Sequence, residues 1–151
     1  MPPRSALRSR AALLGVIGAG GAIGAAARYG TALAIPPRSG VFPVATFLVN
    51  IVGAVILGAV AALPAGWLPA HDLSRAGIGT GFCGGLTTFS TMSLEIYERI
   101  HPTPGLAVGY AAASVIAAPA CAWAGFATVR ARLSASRARA APPVPSEEKK
   151  T

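Results

Sequence analysis

The stretch Gly81–Glu95, reading Gly-Phe-Cys-Gly-Gly-Leu-Thr-Thr-Phe-Ser-Thr-Met-Ser-Leu-Glu, constrains this chain more than any other. It sets a glycine cluster (Gly81, Gly84, Gly85) and a run of hydroxyls (Thr87, Thr88, Ser90, Thr91, Ser93) inside an otherwise apolar segment. Glycine interrupts a helix at little cost, and hydroxyls can bond to the backbone groups that an interruption frees. In lipid such backbone survives only where protein buries it or where it lines a watery cavity. The segment therefore predicts a broken helix whose freed carbonyls and amides face an ion or a polar path. Close helix packing is the plainer use of small residues, but it gives no reason for the hydroxyl run and Phe89.

Composition makes lipid the expected solvent. With 53% hydrophobic and 12% charged residues among 151, the chain is too apolar for an ordinary soluble domain of its size. The formal charge of +8, from 13 Lys+Arg against 5 Asp+Glu, could suggest nucleic acid. Its placement argues against that partner, because the basic residues crowd the two ends and leave long uncharged gaps. Cys83 and Cys121 both fall in apolar segments and read as small buried hydrophobes. No nucleophile with its base, phosphate loop or metal-ligand set stands out, so an enzyme is not expected.

Four apolar spans follow a basic segment at residues 1–10, which reads as a lead-in without structure of its own. The first run, Ala11 to Ala27, carries no charge and ends at Arg28 and Tyr29, a pairing suited to the headgroup level. Arg4, Arg8 and Arg10 ahead of it resemble a signal peptide, but three more apolar segments follow, so the run reads as retained. The second span, about Val44 to Leu63, has Thr46 and Asn50 on one face. An amide at membrane depth is either glue between helices or part of a polar path.

The third span starts near Ala76 and runs to Glu95, Glu98 and Arg99, where the spacing of Glu95 and Arg99 favours a helical ion pair. The fourth, about Leu106 to Val129, carries Tyr110 and Ser114 on one face and Pro119, which should kink it. A four-helix channel domain over residues 11–130 is thus followed by a basic, proline-rich tail, 131–151, expected to be disordered. Four spans enclose no pore alone, and no internal repeat supplies a second half, so an oligomer is expected.

At this point the chain resembles a family. The run Gly81–Glu95 is similar to the hallmark segment of the small fluoride channels called the Fluc or CrcB family. Gly24 to Tyr29, Phe47-Leu-Val-Asn50 with Gly53, and the Tyr110 and Ser114 spacing support it. The resemblance implies an all-α integral membrane protein of four transmembrane helices, the third broken, assembled as an antiparallel dimer in the plasma membrane. It implies passive, fluoride-specific export that lowers cytoplasmic fluoride. The carbonyls of Gly84 and Thr87 would hold a structural sodium ion, shared by two subunits and not transported. Phe89 would set its ring against a path lined by Asn50, Ser90, Thr91, Met92, Tyr110 and Ser114, with Glu95 supporting it and Arg28 near the mouth. Met92 departs from the pattern, standing where many members carry a second phenylalanine. A thioether lacks the positive edge of a ring.

Charge also orients the chain. Both termini and the 63–75 connection share one side, which collects Arg4, Arg8, Arg10, Arg75, Arg130, Arg132, Arg137 and Arg139. The other side has little beyond Arg28, Arg38 and Arg99, so the positive-inside rule puts both termini in the cytoplasm. So strong a bias favours a second, antiparallel subunit that is an oppositely biased homologue; a homodimer is the alternative. A proton-coupled four-helix multidrug exporter would need a carboxylate deep in a span, and the first span has none. A non-transporting assembly protein is the remaining class.

Overall fold

The computed structural model describes residues 4–38, 40–64, 67–68 and 71–140. All regular structure among them is helical. Helix α1 spans Arg4–Ala34, α2 Val44–Ala62 and α3 His71–Arg75; a π-helical segment, Ala76–Cys83, leads into α4, Gly84–Leu86, and then come α5, Phe89–Ile100, and α6, Pro104–Ala140. Among the described residues, three stretches are long and apolar enough to cross a membrane: Ser9–Ala34, Val44–Ala62 and Pro104–Arg137. Their apolar surface points mostly outward, since only 6%, 22% and 17% of their most apolar windows are buried.

The long helices outrun the uncharged segments. Residues 4–10, expected as an unstructured lead-in, already form the start of α1. Residues 131–140, expected as part of a disordered tail, continue α6. Both extensions are rich in Arg and, in the second, Ala, which hold a helix well whether or not they lie in lipid. The rest of that expected tail, 141–151, lies outside the described residues. Pro119 lies inside α6, which runs on past it as one element.

Helix α2 is entered through Pro43, whose carbonyl accepts from Phe47 N at 3.1 Å, after a turn in which Gly40 takes φ +71°. It packs along α6 with backbone in near contact, Gly58 facing the Ala122 carbonyl. Helix α1 does the same against the π-helical segment, Gly24 facing the Phe82 carbonyl. A β-carbon at either glycine would collide with main chain, which cannot retreat as a side chain could.

Between α3 and α5 the chain changes conformation repeatedly. The sequence Ala-Gly-Ile-Gly-Thr-Gly-Phe-Cys winds as a π-helix, a wide form that its three glycines accommodate. After the single turn of α4, Thr87 (φ −80°, ψ 156°) and Thr88 (φ −151°, ψ 123°) are extended. Helix α5 then starts with Thr88 as its N-cap.

Candidate functional site

The extended pair Thr87–Thr88 redirects the hydrogen bonds that a continuous helix would make. Thr88 N, which would have met Gly84 O in an unbroken helix, donates to Asn50 Oδ1 at 2.8 Å. Asn50 Nδ2 returns a bond to Thr88 O at 3.1 Å. Thr91 N, which would have met Thr87 O, donates to the Thr88 hydroxyl at 3.2 Å. The carbonyls of Gly84 and Thr87 are therefore released from their helical partners. That of Gly85 is taken by Arg28 Nε at 3.2 Å. Thr87 itself is fixed by its hydroxyl and its N–H, both donating to Cys83 O at 2.9 Å.

One and a half turns along α5, Glu95 is only 8% exposed. The Thr46 hydroxyl donates to its Oε1 and the Tyr110 hydroxyl to its Oε2, each at 2.8 Å. Three helices thus meet on one carboxylate. Tyr110 is fully buried, and the Phe42 ring stands edge-on to it with centroids 5.1 Å apart, itself braced by Phe47 at 5.2 Å. The expected ion pair between Glu95 and Arg99 takes a different form. Arg99 Nη1 donates to the main-chain carbonyl of Glu95 at 2.8 Å, because the carboxylate is already held by two hydroxyls from other helices.

A long apolar groove of about 910 Å³ runs along the outer face of the interruption. Asn50, Gly84, Thr87, Thr88, Phe89, Met92 and Ser114 all line it. Phe89 projects there with 75% of its surface exposed, whereas Met92 is buried. The Ser114 hydroxyl is buried yet has no hydrogen-bond partner among the described residues. A smaller cavity of about 190 Å³ lies between α1 and α2, lined by Arg28, Tyr29, Thr46, Thr88 and Thr91 among others.

The residues singled out in the sequence therefore fall into three neighbouring groups. Asn50, Gly84, Thr87, Phe89, Met92 and Ser114 share the groove. Arg28 and Thr91 share the cavity. Glu95 and Tyr110 form the buried cluster, and Ser90 is exposed with its hydroxyl 3.3 Å from that of Thr88. Thr46, Thr88 and Arg99 were noted in the sequence but not placed in the site, and Phe42 was not noted at all. Thr46 had left a signal, its place one turn before Asn50 on the same face. The others owe their roles to contacts between distant parts of the chain.

Chemically, the arrangement offers anion-binding groups: hydroxyls, an amide with one N–H unbonded among the described residues, a guanidinium and an exposed aromatic ring. Its released carbonyls suit a hard cation instead. No group of three or more His, Cys, Asp or Glu that could hold a metal is found among the described residues.

Comparison with known proteins places these features in a family. The family model described as "CrcB-like protein, Camphor Resistance (CrcB)" matches residues 15–126. The chain is 43% identical over 107 residues to "Fluoride-specific ion channel FluC 2" of Streptomyces avermitilis, covering 69% of this chain and 68% of that one. It is 40% identical over 125 residues to "Fluoride-specific ion channel FluC 1" of Streptomyces coelicolor, covering 81% and 80%. It is 42% identical over 112 residues to "Fluoride-specific ion channel FluC 2" of Rhodococcus jostii, covering 74% and 93%. The matched region contains the interruption, the groove and the Glu95 cluster, and the chain belongs to the CrcB-like family.

Proposed function

We propose that this chain is a subunit of a fluoride-specific channel of the plasma membrane, which lets fluoride leave the cytoplasm passively. The observation that carries the reading is the redirected bonding at Thr87–Thr88, which brings an amide, hydroxyls and an exposed ring to one groove in an otherwise apolar bundle. Relatives at 40–43% identity named as fluoride-specific channels support the choice of ion. Fluoride is small and strongly hydrated, so a path must offer donors in place of the water it strips. Asn50, Ser90, Thr91 and Ser114 supply them, Phe89 its positive edge, and Arg28 the charge at the mouth, while Tyr110 borders the path with its own proton given to Glu95. Met92 is the apolar wall between Phe89 and the buried cluster.

In this reading α1, α2, the whole stretch 71–100 and α6 are four spans, the third of them broken. The groove, with Phe89 exposed in it, is closed by a second subunit running antiparallel. The carbonyls of Gly84 and Thr87, released from helical bonding, fit a sodium ion, and the matching pair of the second subunit completes its shell. When bound, the ion supplies a fixed positive centre that ties the two subunits together.

The second subunit is an oppositely biased homologue. Helix α6 carries Arg130, Arg132, Arg137 and Arg139, all exposed, to its end at Ala140, and Arg10 stands exposed near the start of α1. Inverting the chain would carry these charges across the membrane. Single cysteines at Ser134, probed with a membrane-impermeant reagent on whole cells and on inverted vesicles, test the orientation. Labelling only in inverted vesicles is expected, and equal labelling from both sides would favour the homodimer. The channel itself is tested by fluoride efflux from liposomes, with chloride as the control ion.

A further inference from the structure

The groove does not stop at the interruption but runs on to the end of α2, where Val60 and Ala61 line it. Along the stretch that leads into the interruption it is lined in pairs four positions apart, at 75–76, 79–80, 83–84 and 87–88. A four-residue step of an α-helix overshoots a full turn by about 40°, so three such steps would swing the stripe about 120° round the helix. A π-helix takes more residues per turn and falls short of a full turn over the same step. The π-helical winding of Ala76–Cys83 thus keeps one face of the segment turned to the groove along its length.

That face carries two strongly polar side chains ahead of the interruption, Arg75 and Thr80. Arg75 is the only charged residue lining the groove among the described residues. Its Nη1 donates to Leu63 O at 2.9 Å and its Nη2 to Ala61 O at 3.4 Å. The guanidinium is therefore fixed at the end of α2, about 16 Å along that helix from Asn50. Both of these partners are neutral, and Asp72 on the same short helix does not line the groove. Thr80 is exposed in the groove, and its hydroxyl takes part in no hydrogen bond among the described residues.

An arginine that only capped α2 would satisfy its last carbonyls and complement the negative end of the helix. Lining an apolar groove, the same charge also raises the concentration of anions at that end. Thr80 follows between Arg75 and the Asn50–Thr88 bonds, with a donor that can replace part of an anion's water. We propose that Arg75 and Thr80 extend the fluoride path to this end of the groove, Arg75 gathering the anion and Thr80 donating to it on the way to Asn50. This role rests on the channel reading, and in the orientation given above this end faces the cytoplasm.

The test is initial fluoride efflux at low fluoride from liposomes holding the parent, R75Q, R75K, T80V or T80S, in the preparation that conducts. Each is measured in dilute buffer and with about 1 M potassium gluconate on both sides, which shortens the reach of an exposed charge to about 3 Å. Size-exclusion profile and melting temperature report folding. In dilute buffer R75Q is expected to lose about three- to tenfold and R75K at most about twofold. In concentrated salt R75Q and the parent should converge to within about twofold. T80V should be slower by about threefold or more in both media, with T80S within about twofold of the parent.

R75Q equal to the parent in dilute buffer overturns the role of Arg75, and so does a loss that salt leaves undiminished, the mark of a helix cap alone. T80V equal to the parent removes Thr80 from the path. Should R75Q not fold, R75K decides: efflux within about twofold of the parent, slowed by salt to the same degree, supports the charge, and a larger loss overturns it. A parent that conducts no fluoride, alone or with the homologue, overturns the channel reading and this role together, whereas a conducting parent with indifferent variants overturns the role alone.

Discussion

Asn50 and Thr88 exchange two hydrogen bonds, Thr88 N to Asn50 Oδ1 at 2.8 Å and Asn50 Nδ2 to Thr88 O at 3.1 Å, so that one side-chain amide stands in for a helical neighbour at the point where the helix stops. Substituting Asn50→Ala strands both groups of Thr88 in a half-buried setting. The expected cost is about 1–3 kcal/mol, seen as a lower melting temperature in detergent, together with loss of fluoride efflux. An unchanged melting temperature would show that water replaces the amide there without cost.

Ser114→Ala separates path from scaffold. The buried hydroxyl makes no hydrogen bond among the described residues, so its removal should not lower the melting temperature. On the proposed path, losing this hydroxyl should nevertheless lower fluoride efflux several-fold. Efflux equal to the parent would remove Ser114 from the path.

Tyr110→Phe should do both kinds of damage. It leaves Glu95 Oε2 without its donor inside the buried cluster, a loss of about 1.5–3 kcal/mol for a bond to a charged group. Thermal unfolding and efflux should both respond, whereas a change in efflux alone would mean that the Glu95 contact contributes little to the fold.

Gly24→Ala places a methyl against the Phe82 carbonyl, where α1 meets the π-helical segment backbone to backbone. An overpacking cost of about 1–3 kcal/mol is expected, with a drop in the yield of folded protein on size exclusion. Gly15→Ala on the same helix meets nothing within 4 Å and should behave as the parent. Equal behaviour of the two variants would contradict the packing described for α1.

Sodium should stabilise the assembly by mass action. Raising sodium from far below its dissociation constant to about one hundred times that value adds about 2.7 kcal/mol, so the melting temperature should rise with sodium and stay flat with a large organic cation. A curve identical for both would count against a sodium ion on the Gly84 and Thr87 carbonyls.

The parts of the fold and site legible in the sequence are those set by local chemistry. The helical class follows from apolar runs of spanning length, and the interruption near Thr87 from glycines and hydroxyls clustered where a lipid-facing helix would have neither. Asn50 was visible because an amide is conspicuous in a valine- and alanine-rich span. The partners of Glu95 were not, because Thr46 lies 49 positions away and Tyr110 15, and the one-turn rule pointed to Arg99 instead. Helix ends were misjudged for a related reason. Hydropathy marks where lipid suits the chain, but α6 continues to Ala140 because its Arg and Ala residues keep a helix in any solvent. The π-helical winding of Ala76–Cys83 left only its glycines as a trace, and they suit several backbone forms equally.

The most direct measurement is fluoride efflux from liposomes containing the purified protein, alone and after co-expression with an oppositely biased homologue, read with a fluoride electrode beside a chloride control and Phe89→Ile. Rapid efflux of fluoride without chloride in at least one of the two preparations, abolished in Phe89→Ile, is the predicted result. Chloride passing as fast as fluoride, or no fluoride efflux in either preparation, would contradict it.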